Sequence, residues 1–427
     1  MTAFDPSPAI VVDADKLSQV AILQELGHLG IPAAAVSSDA RPAGFASKYP
    51  AWKLRSSVPS YDPAFVDFLL SAAPRGVIFC SNDANAENLA RHREDLSAAG
   101  FKLLLSSPGV LDRVISKDRL YRTAMECGVS VPRCSLVATA AELEAKVAEF
   151  GLPMILKSTN LAGGVYRFVH GSESAAGVFR RMTEIVRSEP FRHRGAGLMA
   201  QQWISQEGMR LWNFNACVRD GDILASFMGE RLRTDMRPDG TLGSVLLFGR
   251  TAHHPALAED NRRLLRHLRF SGIVETEWSA PAAGSGTRYL YDFNPRPSGN
   301  IRWASRSGVS LVLPYYRAAL GLPVSPQTMK SGIVYAKVLY HTCDWMEALT
   351  NPRFTTRQKL AVVRDDLLAT AGCWRHAVDV LDPRDLGPSL HACAGLAAAL
   401  GDSAHRFLQS FRPPGLRHAG TSDMSAR

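Results

Sequence analysis

Apolar runs alternate with helical patterns along the first hundred or so residues of the chain. The patterns predict strands at residues 9–12, 33–36, 76–80 and 103–105, and helices at 17–29, 64–70 and 84–98. Strands that alternate with helices favour a parallel sheet covered by helices on both faces. We therefore expect an α/β domain over residues 1–110.

The pattern changes character after residue 110. A helix beginning at residue 116, a second helix at 140–150 and a strand at 154–157 predict a compact α+β lobe. This smaller lobe is expected to cover residues 111–196.

A larger, β-rich lobe is predicted over residues 197–330. Its strands are expected at residues 198–204, 211–218, 223–228, 272–278 and 289–293. An extension over 331–410 contains a predicted strand at 333–339 and a helical region at 355–371. Residues 411–427 are rich in Pro, Gly, Ser and Arg, and we expect them to be disordered.

Composition narrows the class of protein. Hydrophobic residues make up 46% of the 427-residue chain and charged residues 21%, which is typical of a soluble globular protein. No stretch approaches the roughly 18 apolar residues of a membrane span, and the acidic, proline-bearing N-terminus does not resemble a signal peptide. We expect a cytoplasmic protein that does not associate with membranes.

Charge and cysteine usage add two expectations. The net charge is +9, but the Lys and Arg residues are scattered, which favours small anionic ligands over nucleic acid. The seven cysteines are far apart and none belongs to a CxxC pair. Small buried thiols in a reducing compartment are therefore favoured over a zinc site or disulfides.

The turn after the first strand reads Asp13-Ala14-Asp15-Lys16 and lacks the GxGxxG pattern of a dinucleotide site. Asp13 and the Ser81-Asn82-Asp83 turn follow two predicted strands, where open parallel sheets bind ligands. Ordinary turn and N-cap chemistry is the favoured interpretation of these residues, with substrate binding as the alternative.

The segment from Tyr289 to Gly299 carries the most informative chemistry. Asp292 and Asn294 stand two apart on a predicted strand, so their side chains leave the same face. Carboxylate and amide oxygens of this kind suit magnesium, and Arg296 adds a fork of donors for phosphate or carboxylate. A solvent-exposed face of an antiparallel pair is an equally good interpretation of this strand alone.

The preceding predicted strand offers a third oxygen ligand. Glu275 and Glu277 also stand two apart, and a hairpin across residues 281–287 would bring one of them to the neighbouring strand. The sequence leaves open which of the two glutamates would meet a metal, and we prefer Glu277.

Two lysines and a pair of amides complete the candidate chemistry. Lys157 ends an apolar strand before the glycine turn at residues 160–164, and Lys117 begins a helix, two settings that hold phosphate. Each lysine alone is more often a solvated surface residue. A strand like that at 198–204 can read an adenine edge through its backbone, with Gln201 or Gln202 near the N6 group, Ile204 on a ring face and Glu207 on a ribose hydroxyl. A Gln-Gln pair on the protein surface is the alternative.

This succession resembles the ATP-grasp superfamily over about residues 9–321, and most specifically the domain of carbamoyl-phosphate-synthase type. The run Asp292-Phe293-Asn294-Pro295-Arg296 is similar to the Glu-x-Asn-x-Arg signature that closes the family's metal site. The resemblance implies a half-Rossmann-like parallel sheet followed by a two-lobed ATP-grasp fold. It also implies ATP and Mg2+ as cofactors, with Mn2+ as an alternative metal.

The resemblance assigns roles residue by residue. Glu277, Asp292 and Asn294 would hold magnesium, and Arg296 would lie near the γ-phosphate or an acyl phosphate. Lys117 and Lys157 would bind the ATP phosphates, and Lys157 with Arg296 would be catalytic. The remaining nucleotide contacts would come from the glycine loop, with Gly163 and Gly164, and from Gln201, Gln202, Ile204 and Glu207.

Three positions depart from the family pattern. Asp292 replaces the usual glutamate and is one methylene shorter. Gln201 and Gln202 stand where an acidic residue is common, and the glycine loop has only Gly163 and Gly164.

Downstream, residues 296–306 look like the carboxylate–amine ligase group. Arg302 and Arg306 stand four apart and would bind a second carboxylate of an amino-acid substrate if they share a helix face; pairing with nearby acids is the alternative. The resulting hypothesis is a ligase that activates a small-molecule carboxylate as an acyl phosphate and joins it to an amine, with a homodimer left open.

Two other functions compete with the ligase. A non-catalytic module of the same fold that binds ATP or a metabolite is the main alternative. A biotin-type carboxylase component ranks low, because the single Met-Lys dipeptide, Met329-Lys330, lies in a linker flanked by proline and no carrier domain follows.

Overall fold

The computed structural model describes most of the chain. The described residues are 7–160, 166–170, 174–188, 197–205, 208–236, 242–281, 286–337, 345, 355–373, 377–378 and 382–395. The predicted disorder of residues 411–427 lies outside this part of the chain. Among the described residues, no helix has both the length and the apolar character needed to cross a membrane.

The N-terminal domain is a four-stranded parallel sheet in the order β3-β2-β1-β4. Its strands are β1 (Ala9–Val12), β2 (Ala33–Ser37), β3 (Pro50–Arg55) and β4 (Val77–Phe79). Its helices are α1 (Leu17–His28), α2 (Ala64–Ala72), α3 (Asp83–Arg91), α4 (Arg93–Ala98) and α5 (Pro108–Ile115). All four residues of β1 are buried, as a continuous apolar strand in a covered parallel sheet requires.

The smaller lobe is a four-stranded antiparallel sheet in the order β5-β8-β6-β7. Its strands are β5 (Cys134–Val137), β6 (Met154–Ser158), β7 (Tyr166–Val169) and β8 (Leu198–Gln202). Helix α6 (Lys117–Glu126) leads into the lobe, and α7 (Ala140–Phe150) and α8 (Ala175–Arg187) pack on the sheet. Strand β8, which the sequence assigns to the start of the larger lobe, is therefore hydrogen-bonded into the smaller one.

The larger lobe is a seven-stranded sheet in the order β13-β12-β9-β10-β11-β14-β15. Its strands are β9 (Met209–Arg219), β10 (Asp222–Met236), β11 (Leu242–Thr251), β12 (Gly272–Pro281), β13 (Tyr289–Asn294), β14 (Val334–Ala336) and β15 (Ala377–Val378). Its helices are α9 (Pro255–Leu268), α10 (Ile301–Arg306) and α11 (Val312–Ala319), and α12 (Thr356–Cys373) follows β14. The extension after residue 330 thus adds strands to the sheet of the larger lobe.

Two predicted elements are wrong. Residues 103–105 form no strand, because the chain makes a single bridge from Lys102 to Val77 and then leaves the sheet, while Leu104 and Leu105 are buried among apolar neighbours. The helix predicted over 84–98 is two helices, because the backbone of His92 adopts φ −104° and ψ 22° between them.

The C-terminal segment returns to the N-terminal domain. The carboxylate of Asp385 accepts hydrogen bonds from Gln24 Nε2 at 3.0 Å, Ser47 Oγ at 2.7 Å and the backbone N–H of Lys48 at 3.0 Å. His28 Nε2 lies 3.0 Å from an oxygen of the buried Asp382. The extension therefore joins the first domain to the sheet of the larger lobe.

Trp303 anchors α10 on the larger sheet. Its indole is fully buried, stacks on Tyr335 with centroids 5.5 Å apart, and donates a 3.1 Å hydrogen bond to the carbonyl of Ile333. Beneath the ring, β10 and β11 present Gly229 and Gly249, and a Cβ atom at either position would overlap the indole. Tyr335 Oη also donates a hydrogen bond to the carbonyl of Gly299. The packing therefore restrains the turn that follows β13.

We expect Gly229→Ala to lower the free energy of unfolding by about 1–3 kcal/mol, because the added methyl group forces Trp303 off the sheet. Urea denaturation followed by intrinsic fluorescence measures this. Gly109→Ala is the matched control, since a Cβ there has nothing within 4 Å. Equal stability of the two variants would contradict the packing argument.

Candidate active site

The hairpin predicted between the two acidic strands is present. β12 and β13 are antiparallel, with Glu277 opposite Asp292 and Glu275 opposite Asn294. Because residues two apart share a face of a strand, all four polar side chains leave the same face of the sheet.

The two glutamates differ in what they contact. Glu275 Oε1 accepts hydrogen bonds from Asn213 Nδ2 at 2.6 Å and from Asn300 Nδ2 at 2.7 Å. Glu277 Oε1 instead forms an ion pair with Arg231 Nη2 at 3.0 Å. Burial raises the pKa of Glu277, and the Arg231 guanidinium opposes that rise. Asn294 Nδ2 also donates to Glu275 Oε2, at 3.5 Å, so Glu275 accepts from three side-chain amides, whereas Glu277 is the carboxylate that faces Asp292.

Lys117 reaches the same place from the start of α6. Its ammonium lies 2.7 Å from Asp292 Oδ1, and its backbone N–H donates to the carbonyl of Thr159, just beyond β6, at 2.9 Å. Burial by itself raises the pKa of Asp292, but the charge and hydrogen bond of Lys117, the charge of Lys157 and the backbone N–H of Phe293 together outweigh burial and leave the pKa below its usual value. The ion pair therefore connects α6 and β6 with the acidic hairpin.

Lys157 is the second buried cation of the cluster. It is 8% exposed, and its Nζ donates a 2.8 Å hydrogen bond to Tyr121 Oη on α6. Burial and the neighbouring charge of Lys117 lower the pKa of Lys157 to about 7, against the attraction of Asp292. The chain thus holds two lysines beside the acidic hairpin, where a solvated surface lysine was the alternative.

Arg296 lies between the hairpin and the N-terminal domain. Its Nη2 donates to Asn294 Oδ1 at 3.1 Å, and its Nε lies 3.2 Å from Asp83 Oδ1 at the start of α3. Burial lowers the pKa of Arg296, but the charges of Asp83, Glu275 and other acids outweigh it and raise the net pKa. The guanidinium therefore stays charged in a largely buried position.

The oxygen donors of the hairpin fit a magnesium ion. Glu277 and Asp292 are cross-strand partners, and Asn294 adds an amide oxygen on the same face. Among the described residues, no group of three or more His, Cys, Asp or Glu side chains forms a metal site by itself. Two carboxylates and one amide oxygen nevertheless match Mg2+, which fills its remaining positions with phosphate oxygens and water.

The two glutamines of the predicted adenine strand make hydrogen bonds within the protein. Gln201 is 2% exposed, and its Oε1 accepts a 2.8 Å hydrogen bond from Tyr121 Oη. Gln202 accepts from Arg133 Nε at 3.1 Å, and Ile204 lies half-buried beyond the end of β8. The Gln201 side chain therefore supports Tyr121, and through it Lys157; the adenine role of these residues stays a prediction.

The remaining predicted site residues fall into two groups. Gly163, Gly164 and Glu207 lie outside the described residues. Arg302 and Arg306 are both on α10, where the Arg302 guanidinium donates to Gln24 Oε1 of α1 and Arg306 is exposed. The substrate-binding role predicted for these two arginines stays a prediction, and Arg302 makes a contact between domains.

The turn residues of the N-terminal domain mainly build structure. Asn82 caps α3 by accepting from the N–H of Asn85 at 2.9 Å, as N-cap chemistry predicts. Asp13, at φ 53°, accepts from Lys16, Ser60, Ser81 and Asn82 through one carboxylate oxygen. This network fixes the carboxyl edge of β1 against that of β4.

A cavity of about 400 Å3 lies beside the acidic hairpin. Its polar lining includes Asp15 and Lys16 from the β1–α1 turn, Glu277 from β12, Asn300 after β13, and Lys337 after β14. Asn300 Oδ1 is buried without a hydrogen-bond partner in the described part of the chain. The cavity thus places an unsatisfied acceptor and basic side chains next to the candidate metal ligands.

Several residues of the site escaped the sequence reasoning. Asn213 and Asn215 stand two apart on β9 and lie opposite Glu277 and Glu275 of β12, respectively. Their spacing, the period of a strand, could have identified them from the sequence. Tyr121, Arg231 and Lys337 had no such signal, because long-range packing alone brings them to the site. Asp83 was noted as a turn residue at a strand end, but its contact with Arg296 was not predicted.

Comparison with known proteins identifies the fold. The biotin carboxylase domain of Hydrogenobacter thermophilus 2-oxoglutarate carboxylase, solved with MgADP and bicarbonate, superposes with a TM-score of 0.62 at 16% identity, covering 77% of this chain and 73% of that one. N5-carboxyaminoimidazole synthetase from Staphylococcus aureus gives a TM-score of 0.60 at 11% identity, covering 81% and 86%. The chain therefore has the ATP-grasp fold that its sequence resembles.

One sequence relative points the same way. A segment of 101 residues is 31% identical to the carbamoyl phosphate synthase large chain of Rubrobacter xylanophilus. The match covers 23% of this chain and spans only 9% of the length of that relative. No protein-family model matches the chain.

We expect the ammonium of Lys157 to lose its proton near pH 7, because burial and the charge of Lys117 both disfavour the protonated form. Side-chain NMR of labelled lysine over a pH series measures this, with Lys157→Gln to assign the resonance. Asp292→Asn is expected to lower the pKa further, since it removes an attractive charge. A midpoint near the ordinary value of about 10.4 would contradict the burial of this group.

Proposed function

We propose that the protein is an ATP- and magnesium-dependent ligase that activates a small-molecule carboxylate as an acyl phosphate and joins it to an amine. The observation that carries the proposal is the buried cluster on the ATP-grasp fold in which Lys117 and Lys157 meet the Glu277–Asp292 carboxylate pair. A cluster of charges of both signs suits the transfer of a phosphoryl group, which depends on positioning and charge neutralisation.

Each side chain has a defined task in this proposal. Lys117 and Lys157 hold the phosphates as point charges, and Lys157 is kept in place by Tyr121. Glu277, Asp292 and Asn294 would hold Mg2+, which when bound neutralises phosphate charge. Arg296 presents its guanidinium to the γ-phosphate and to the acyl phosphate that forms from it.

The reaction balances without a protein nucleophile. A substrate carboxylate oxygen attacks the γ-phosphorus, the bond to the bridging oxygen breaks, and ADP leaves. The amine then attacks the acyl carbon, loses a proton, and displaces inorganic phosphate as the amide forms. The pKa of Lys157 is about 7, so its amine is about half protonated at pH 7. Phosphate binding would favour the protonated form.

The cavity between the acidic hairpin and the β1–α1 turn is the proposed acceptor pocket. Its volume of about 400 Å3 suits a small molecule, and it shares Glu275 and Glu277 with the hairpin. Lys337 provides a cation for an anionic end of the substrate. Its Nζ packs so close to Gly299 that a Cβ atom there would lie 3.0 Å from it. Amino acids carry both the amine and the carboxylate that such a pocket would recognise.

The competing functions differ in what they require. A binding module without turnover requires the lysines and the hairpin but not Arg296 near the γ-phosphate. The relatives named as carboxylases and synthetases are similar to this chain at 11–16% identity, which supports the fold and leaves the substrates to experiment. Cytoplasmic location, Mn2+ in place of Mg2+ and a homodimer remain parts of the hypothesis.

We expect purified protein to release ADP from MgATP only with a particular acid and amine, tested as single amino acids and as pairs. Lys157→Ala should lower this rate by about 100-fold or more, because a phosphate-binding charge is lost. Lys53→Ala, an exposed lysine of β3, is the matched control. Removal of magnesium with a chelator should abolish release.

Two outcomes would contradict the ligase. Tight ATP binding without ADP release across the whole panel would favour the non-catalytic module. Neither binding nor release in a folded protein would exclude both functions.

We expect Lys337→Ala to raise the KM for the acceptor by about tenfold and to leave the KM for ATP unchanged, because its side chain lines the proposed acceptor pocket. Steady-state ADP release with each substrate varied in turn measures both constants. Lys330→Ala removes the same charge from an exposed position seven residues earlier and serves as control. An equal rise in the two KM values would contradict the pocket assignment.

A further inference from the structure

An acidic side chain of the N-terminal domain contacts the arginine that follows the acidic hairpin. Asp83 is the first residue of α3, and its Oδ1 lies 3.2 Å from Arg296 Nε. Asp83 is 8% exposed, and this oxygen has no aligned hydrogen bond in the described part of the chain. Attraction to the Arg296 guanidinium is therefore the main compensation for burying this end of the carboxylate.

Both ends of the Arg296 fork are held. Nη2 donates to Asn294 Oδ1 at 3.1 Å on the hairpin side, and Nε faces Asp83 on the side of the N-terminal domain. A planar guanidinium with two fixed partners has little rotational freedom, so its remaining N–H groups have a defined direction. Without Asp83, the side chain keeps the hydrogen bonds from Nη2 to Asn294 and from Nη1 to the carbonyl of Pro297, both on the hairpin side, and loses its ion pair with the N-terminal domain.

Asp83 is itself held rigidly. Asn82 caps α3 and donates from Nδ2 to Asp13 Oδ2 at 2.9 Å, and the same oxygen accepts from Ser60 at 2.8 Å. The position of Asp83 therefore follows from the carboxyl edge of the parallel sheet, between β1 and β4. Because this edge does not belong to either ATP-grasp lobe, the first domain controls an arginine in the site of the other two.

We propose that Asp83 is a positioning residue, which orients Arg296 toward the γ-phosphate of ATP from the N-terminal domain. The inference rests on the proposed function for the presence of the phosphate. It assigns to the first domain a part in nucleotide recognition that its own sheet, which lacks a glycine-rich turn, does not perform directly.

A comparison of two nucleotides tests this inference without knowledge of the acceptor. The dissociation constants of MgADP and of the magnesium complex of adenylyl imidodiphosphate, which keeps a γ-phosphate, are measured by calorimetry. Asp83→Asn should weaken binding of the triphosphate analogue by about tenfold and leave that of ADP unchanged. Asp83→Glu, which keeps the charge, should recover part of the loss.

Controls separate positioning from stability. Asp67→Asn removes an exposed acid from the first turn of α2 and should change neither dissociation constant. Thermal melting of Asp83→Asn and Asp83→Glu shows whether either variant is folded, and the glutamate variant carries the test if the asparagine variant is not. Equal weakening of ADP and analogue would assign Asp83 a purely structural role and overturn the inference.

Arg296→Ala distinguishes failure of the inference from failure of the function. If this variant loses affinity for the analogue alone while Asp83→Asn does not, Arg296 binds the γ-phosphate without help from Asp83, and the positioning role is wrong. If Arg296→Ala leaves both affinities unchanged, the proposed role of Arg296 fails and the inference fails with it. Loss in both single variants with no further loss in the double variant would confirm the inference.

Discussion

The ion pair between Lys117 and Asp292, 2.7 Å long and largely buried, is the contact on which the candidate site depends. Lys117 is 8% exposed, and a buried charge without a partner costs several kcal/mol, so the ammonium of Lys117 favours the meeting of α6 with β13. Lys117 also donates its backbone N–H to the carbonyl of Thr159 beyond β6, which carries Lys157. One electrostatic requirement therefore brings the smaller lobe, the linking helix and the acidic hairpin together.

The rest of the fold holds this contact in a fixed frame. Trp303 packs over two glycines of the larger sheet, and Tyr335 Oη donates to the carbonyl of Gly299 at 3.0 Å. Both contacts restrain the chain immediately after the Asp292–Arg296 run. On the opposite side, the Asp13 network restrains α3. The polar side chains of the site are thus held by apolar packing on one side and by hydrogen bonds on the other.

Local sequence patterns predicted much of the fold and part of the site. The hairpin was predictable because Glu275/Glu277 and Asp292/Asn294 each repeat with the period of a strand, and β1 because four apolar residues stand together. The break at His92 has no local sequence signal, and the irregular chain at 103–105 follows from tertiary packing, because Leu104 and Leu105 are buried among apolar neighbours. The same holds for Tyr121 and Arg231, whose importance appears only when α6 and β10 pack against the hairpin.

Four cations of the candidate site differ in the partners that they contact. Arg231, Arg296 and Lys117 each face a carboxylate, whereas Lys157 donates to the neutral hydroxyl of Tyr121. Burial and the charge of Lys117 lower the pKa of Lys157 to about 7, against the attraction of Asp292 and Glu277. A polyanion placed beside it would supply the missing negative charge and restore the proton. In the proposed function, the phosphates of ATP would supply this charge, and a phosphoryl-transfer site requires charge neutralisation of this kind.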